Sequence, residues 1–202
     1  GTYMKSAPTF SDIKSIFAGL RPLAAPEKNE KATKEISRHH KVTVSTSGLI
    51  SILGGKWTTY RKMAEDTVNT ARSVAGLQDR ECITHNLTIH GYDYSSNWKN
   101  PIHFYGTDIE KIENLDNNGN SSISEKFFIS KNQIIWSIRN EMAMNLEDVM
   151  ARRTRSLFLD AKESLRIAPK VIEIMANEMK KNTNWIKNEI ANFEKVAKNY
   201  II

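Results

Sequence analysis

The sequence predicts an α+β chain that is mainly helical. An incomplete strand-and-helix part over residues 1–86 precedes an all-α part over residues 87–202. Three observations carry this. Short β-branched runs punctuated by glycine occur only in the first part. Apolar residues at helical spacing take over from about residue 124. The strands on offer are too few for a complete sheet, and a lone hairpin is marginal in water. Residues 1–86 therefore read as the remnant of a larger domain.

The elements follow in chain order. Ser15-Ile16-Phe17-Ala18-Gly19-Leu20 has the apolar content of a short buried strand, stopped at Arg21-Pro22. Residues 24–37 are polar and charged, and read as a loop. Val42–Ser45 and Leu49–Leu53 read as two strands joined by a turn at Ser47-Gly48. Gly54-Gly55 ends the second. Tyr60, Met63, Ala64, Thr67, Val68 and Ala71 then recur at helical spacing, and Gly76 marks the stop. Ile83–Ile89 could form a strand and Asp108–Asn114 a short helix, with a turn-rich stretch at Asn117–Ser122. Ser130 and Gln133 make a capping-box pair before Ile134 and Ile135. Asn145 suits the cap of a second helix carrying Val149, Leu157 and Phe158. Pro169 suits the first turn of a third, with Val171, Ile172, Ile174 and Met175. Trp185, Ile186, Ile190, Phe193 and Val196 give a last amphipathic helix.

Composition excludes several classes of protein. The 202 residues are 40% apolar and 26% charged, the profile of a folded chain rather than a disordered one. No apolar run approaches the roughly 18 residues of a membrane-spanning helix. The opening GTYMKSAPTF lacks the apolar segment of a signal peptide. A single cysteine, Cys82, allows neither an internal disulfide nor a multi-cysteine metal site, and fits a reducing, cytoplasmic compartment. The net charge of +6 is uneven. Residues 1–90 hold 13 basic and 8 acidic side chains, a net +5, so an anionic partner is sought there.

The strongest local motif is Gly54-Gly55-Lys56-Trp57-Thr58-Thr59-Tyr60-Arg61. It joins a strand to a helix start, where free backbone N–H groups and the positive end of the helix face outward to an anion. Lys56 adds a point charge, and Thr58 or Thr59 a hydroxyl. A Walker loop needs a glycine where Ile50 stands, so a nucleoside-triphosphate loop is not expected. Arg21 ends an apolar run and Arg38 precedes a strand. Both are natural clamps for phosphate or carboxylate, and both have a plain ion-pair reading. His39 and His40 point to opposite sides of an extended chain. His85, His90 and His103 show no metal-ligand spacing, so no metal site is expected. Arg152, Arg153 and Arg155 lack the interleaved aromatics of a nucleic-acid surface, and ion pairs with Glu147, Asp148 and Glu163 are the expectation.

In order and spacing, four segments resemble one family: Ala18–Leu23, Ser37-Arg38-His39, Gly54–Arg61 and Glu147–Ala161. The chain resembles the C-terminal portion of the FAD-dependent, quinone-linked sn-glycerol-3-phosphate dehydrogenases, most firmly over residues 11–72 and 141–161. The resemblance implies an FAD-binding oxidoreductase domain followed by a separate helical domain. It implies oxidation of glycerol 3-phosphate to dihydroxyacetone phosphate, with electrons passing to quinone. It assigns substrate contacts to Arg21, Arg38 and Lys56, and the flavin edge to Gly55, Lys56, Trp57 and Thr58.

One feature of that family is missing: no strand–G-x-G-x-x-G–helix, the seat of the FAD pyrophosphate, occurs in the 202 residues. The chain is accordingly expected to be a fragment, inactive by itself and without tightly bound FAD. An alternative is a non-catalytic helical interaction module, making homodimer or peripheral membrane-surface contacts on the cytoplasmic face.

Overall fold

The computed structural model of the chain describes residues 5–20 and 39–202. It divides into two units, one spanning Gly19–Ile89 and the other joining the residues up to Ala18 to His90–Ile202. The expected division after residue 86 lies three residues before the one after Ile89, but residues 5–18 belong with the helices rather than with the strands.

In the sheet unit, β-branched residues dominate β1 (His40–Val44) and recur in β2 (Ile50–Gly54), which pair antiparallel with Val42 opposite Ile52. Ser45 closes the turn: its N–H donates to the Leu49 carbonyl, and its hydroxyl accepts from the Leu49 N–H. A short 3-10 turn, Trp57–Thr59, leads into α1 (Tyr60–Val74). The helix ends where Gly76 takes a positive φ of 63° and Leu77 N–H reaches back to the Arg72 carbonyl. No strand forms between residues 83 and 89. A strand needs a partner edge, and among the described residues the only sheet is the one β1 and β2 form with each other.

No described residue of the sheet unit is buried. Met63 and Thr67 of α1 are half-buried, whereas Tyr60, Ala64 and Val68 are exposed one turn apart. The apolar stripe seen in the sequence is therefore only partly covered within this unit.

The helical unit holds the core. Its elements are α2 (Ile109–Glu113), α3 (Lys131–Asn140), a π-helical segment (Asp148–Arg153), α4 (Ser156–Leu159), α5 (Ala161–Met179) and α6 (Thr183–Lys198). Ile134, Leu146, Val149, Met150, Leu157, Val171, Ile172, Met175 and Phe193 meet in one buried cluster, with Trp185, Ile186, Ile190 and Val196 packed on it. A smaller cluster of Ile102, Tyr105 and Ile112 takes Trp136 against its side.

The helix starts are fixed by their caps. Ser130 accepts from Gln133 N–H while the Gln133 side chain accepts from Ser130 N–H. Asp160 and Asn182 cap α5 and α6 by accepting from Glu163 N–H and Trp185 N–H.

Three expectations are corrected. Residues 15–20 form an extended segment, not a buried strand: Phe17 is 68% exposed and Leu20 fully so. Isolated hydrogen bonds hold it on the helical unit, from Ile16 N–H to the Tyr200 carbonyl, from Ser15 Oγ to the Leu157 carbonyl, and from Ala161 N–H to the Lys14 carbonyl. Pro169 lies in the interior of α5, because the Asp160 cap starts that helix eight residues earlier than the proline suggests. The helix expected from Asn145 to Phe158 is broken. Its first part widens to π geometry, and Arg155 sits at a left-handed φ of 56° before α4 begins.

Candidate functional site

The turn between β2 and α1 is built from both glycines. Gly54 and Gly55 take φ of 73° and 82°, which favours glycine at both positions. A Cβ on Gly55 would lie 2.5 Å from Met63 Sδ and 3.3 Å from His40 Cβ, so the backbone there is pressed onto helix and strand. The close approach is toward the protein interior. The outer side of the turn carries Lys56, Trp57 and Thr58, all exposed.

Trp57 stacks on Tyr60 with ring centroids 5.6 Å apart. Thr59 closes the turn, its N–H and its Oγ1 both donating to the Lys56 carbonyl at 3.0 Å. The first N–H groups of a helix have no acceptor within it. With an exposed ammonium beside them, they form a positive, polar rim suited to an anionic or strongly polarised group.

Beneath that rim an ion-pair network braces α1. His40 Nε2 lies 2.8 Å from Asp66 Oδ2, tying β1 to the helix. Lys62 bridges Glu65 and Asp66, each at 2.9 Å. Arg61 Nη1 donates to Glu65 Oε2 at 2.6 Å and to Thr84 Oγ1 at 3.1 Å. Lys62 and Arg61 together pull the Glu65 carboxyl down to about 2. Of the residues expected to contact substrate, Lys56 is on this rim. Arg21 and Arg38 lie outside the described residues.

The arginine cluster on the helical unit is an ion-pair site for two of its three members. Arg152 donates to Glu147 Oε1 at 2.7 Å and to Asp148 Oδ1 at 2.9 Å. Arg153 Nε lies 3.8 Å from Glu141 Oε2 and donates to the Glu141 carbonyl at 2.8 Å. Glu163 is not their partner, contrary to expectation. It turns inward to Ser124 and to Arg166, one helical turn along α5. Arg155 is exposed.

One constellation runs against the expectation that His85 stands at no metal-ligand spacing. Cys82 and His85 come from a loop and Glu65 from α1, and their ligand atoms all lie within 4.8 Å of one another. The Cys82-x-x-His85 spacing was the available signal; nothing local pointed to Glu65.

Comparison with known proteins gives the wider context. A family model of the C-terminal domain of alpha-glycerophosphate oxidase matches residues 49–186, taking in the glycine turn and most of the helical unit. A probable mitochondrial glycerol-3-phosphate dehydrogenase of Dictyostelium discoideum is 33% identical over 93% of this chain, which spans 33% of that protein. The probable mitochondrial enzyme of Caenorhabditis elegans is 32% identical, and the mitochondrial enzyme of Mesocricetus auratus 33%. Each of these two matches 83% of this chain, which spans 26% of either protein. The chain thus covers a third or less of the length of these relatives.

Proposed function

The chain belongs to the family of the alpha-glycerophosphate oxidase C-terminal domain, and on that premise we propose that it serves as the C-terminal part of an FAD-dependent glycerol-3-phosphate dehydrogenase. In this reading the assembled enzyme oxidises glycerol 3-phosphate to dihydroxyacetone phosphate and passes the electrons to quinone. The supporting observation is the run of relatives named glycerol-3-phosphate dehydrogenase, aligned along 83–93% of the chain.

The structure supplies a physical argument in the same direction. The sheet unit has no buried residue among those described, and it leaves Tyr60, Ala64 and Val68 exposed along α1. A two-stranded sheet with one helix and an uncovered apolar stripe needs further protein to cover it.

The residues of the β2–α1 turn fit one edge of a flavin, and only one edge. FAD, when bound, supplies the acceptor for the hydride from C2 of the substrate. Lys56 holds negative charge on the substrate phosphate or the reduced flavin, where a desolvated ammonium acts strongly. The N–H groups at the start of the helix hold the same sign of charge at fixed positions. Gly54 and Gly55 set the turn that aims them. Trp57 and Thr58 line the outer face. Arg21 and Arg38 complete the phosphate clamp in this reading. The chain alone is inactive and does not retain FAD, because nothing in its 202 residues supplies a pyrophosphate-binding turn.

The test is a hybrid in which this chain replaces the matching third of the Dictyostelium relative. We expect an FAD-loaded hybrid that reduces a soluble quinone analogue with glycerol 3-phosphate, and a Lys56→Ala version with KM raised at least tenfold. A hybrid that binds FAD stoichiometrically yet does not oxidise glycerol 3-phosphate overturns the reading. So does stoichiometric flavin on the purified chain alone.

The reading extends to a cytoplasm-facing, peripheral membrane contact and a homodimer through the helical unit. No helix among the described residues is long and apolar enough to cross a membrane. Liposome sedimentation and light scattering test these two partners. They also test the alternative of a non-catalytic interaction module, which requires at least one of them in the chain alone.

A further inference from the structure

We propose that Glu65, Cys82 and His85 form a binding site for a borderline-soft divalent cation of the zinc type, clamping the loop after α1 back onto that helix. The inference rests on the geometry of the sheet unit and stands whether or not the dehydrogenase reading holds.

The ligand set has the right chemistry. A thiolate, an imidazole and a carboxylate are the donor types zinc takes, and three protein ligands with a water as the fourth is a common arrangement. Hard cations such as magnesium avoid sulfur and call for more oxygen ligands. The spacing is close to what the metal needs. Bond lengths of about 2.0–2.3 Å in a tetrahedron place ligand atoms about 3.3–3.8 Å apart. His85 Nε2 and Glu65 Oε2 are 3.8 Å apart, and all three ligand atoms lie within 4.8 Å of one another. A loop movement of about 1 Å closes that difference. Among the described residues no other group of three such side chains converges in this way.

The cluster already surrounds positive charge. Arg61 Nη1 sits 2.6 Å from Glu65 Oε2, 3.1 Å from Thr84 Oγ1 and 4.0 Å from Cys82 Sγ. Lys62 holds the other oxygen of Glu65 at 2.9 Å. The guanidinium thus already contacts two of the three ligand side chains, Glu65 and Cys82, and competes with a cation for them. Its side chain is 34% exposed, so it can swing out to water as the metal enters. Binding forms a bond from Cys82 sulfur to the metal, and the thiol proton passes to solvent. Arg61 is then a built-in competitor, and its removal strengthens the site.

Cys82 is the single cysteine of the chain, so a thiol-specific chromogenic reagent reads this position alone. We expect equimolar zinc chloride to slow the reaction of Cys82 at least tenfold in the full chain. His85→Ala and Glu65→Gln each abolish the protection. Arg61→Ala brings it in at roughly tenfold lower zinc, since a neighbouring unit charge has been removed. Cobalt as a probe gives a tetrahedral spectrum with a thiolate charge-transfer band, which Cys82→Ser loses. Zinc that leaves Cys82 unprotected in the parent chain overturns the proposal. Equal protection in His85→Ala also overturns it, as the cysteine would then bind zinc by itself. His85 is exposed, so that variant keeps its fold, and far-ultraviolet circular dichroism checks this.

Discussion

Glu163 is the most sharply testable side chain of the helical unit. Its side chain is 3% exposed, near the start of α5. The carboxylate accepts from Ser124 Oγ at 2.6 Å and from Arg166 Nη2 at 2.7 Å on one oxygen, and from Arg166 Nε at 2.8 Å on the other. Glu163→Gln keeps the shape, and its amide oxygen can still accept from Ser124. It removes the charge and turns an amide N–H toward a guanidinium that can only donate.

Hydrogen bonds to charged groups are worth about 1.5–3 kcal/mol each. Arg166 is 56% exposed and regains water when released, so the expected net loss is about 2 kcal/mol. With a slope of about 2 kcal/mol per molar urea, the unfolding midpoint drops by about 1 M at pH 7.

The pH dependence gives a second reading of the same pair. Arg166, and after it Ser124, hold the Glu163 carboxyl down at about 2, against about 4.3 in the unfolded chain. The folded form is therefore the weaker proton binder. Its contribution is fully present above about pH 4.3 and fades as pH falls toward 2. The urea gap between parent and variant should be constant from pH 7 to pH 5 and narrow by pH 3. A gap below 0.2 M at pH 7 refutes the reasoning. So does a gap of unchanged width at pH 3, which would mean that packing rather than charge carries the effect.

Two further predictions concern the same unit. Phe193 is 1% exposed where α6 packs on the core; Phe193→Ala should cost about 3–5 kcal/mol, read as a lower thermal midpoint. Pro169 is exposed in the interior of α5 and cannot donate to the carbonyl one turn back. Pro169→Ala should stabilise the helical unit by up to about 3 kcal/mol, measured by urea unfolding, and a lower midpoint would show that the helix depends on the proline.

Much of the helical unit was legible because its signals are short-ranged. The Ser130–Gln133 pair lies within one helical turn, and the stripes of α3 and α6 repeat at the helical period, so each can be read without knowing the rest of the fold. Asp160 shows the limit. It heads the Asp160-Ala161-Lys162-Glu163 sequence, which is as good a start signal as Pro169. The choice between them goes to Asp160 because Ala161, Ser164, Ile167 and Ala168 are all buried. The candidate turn was legible for the same reason, since Gly54 and Gly55 mark a backbone that side chains rarely allow.

By itself, then, the sequence determined the class of fold, the paired strands, the glycine turn bearing Lys56 and the capped helices, all features set by neighbours within a few residues. Tertiary structure decided what depends on distant partners. It placed Ser15 against Leu157, 142 residues away, and so turned an apolar run into an extended strap instead of a strand. It sent Glu163 inward to Ser124 and Arg166. It also brought Cys82 and His85 to Glu65, with Arg61 against Glu65 and Cys82. Residue type and local spacing say what a side chain can bind; which groups meet is settled by the docking of whole elements, the sum of many weak contacts with no local signature.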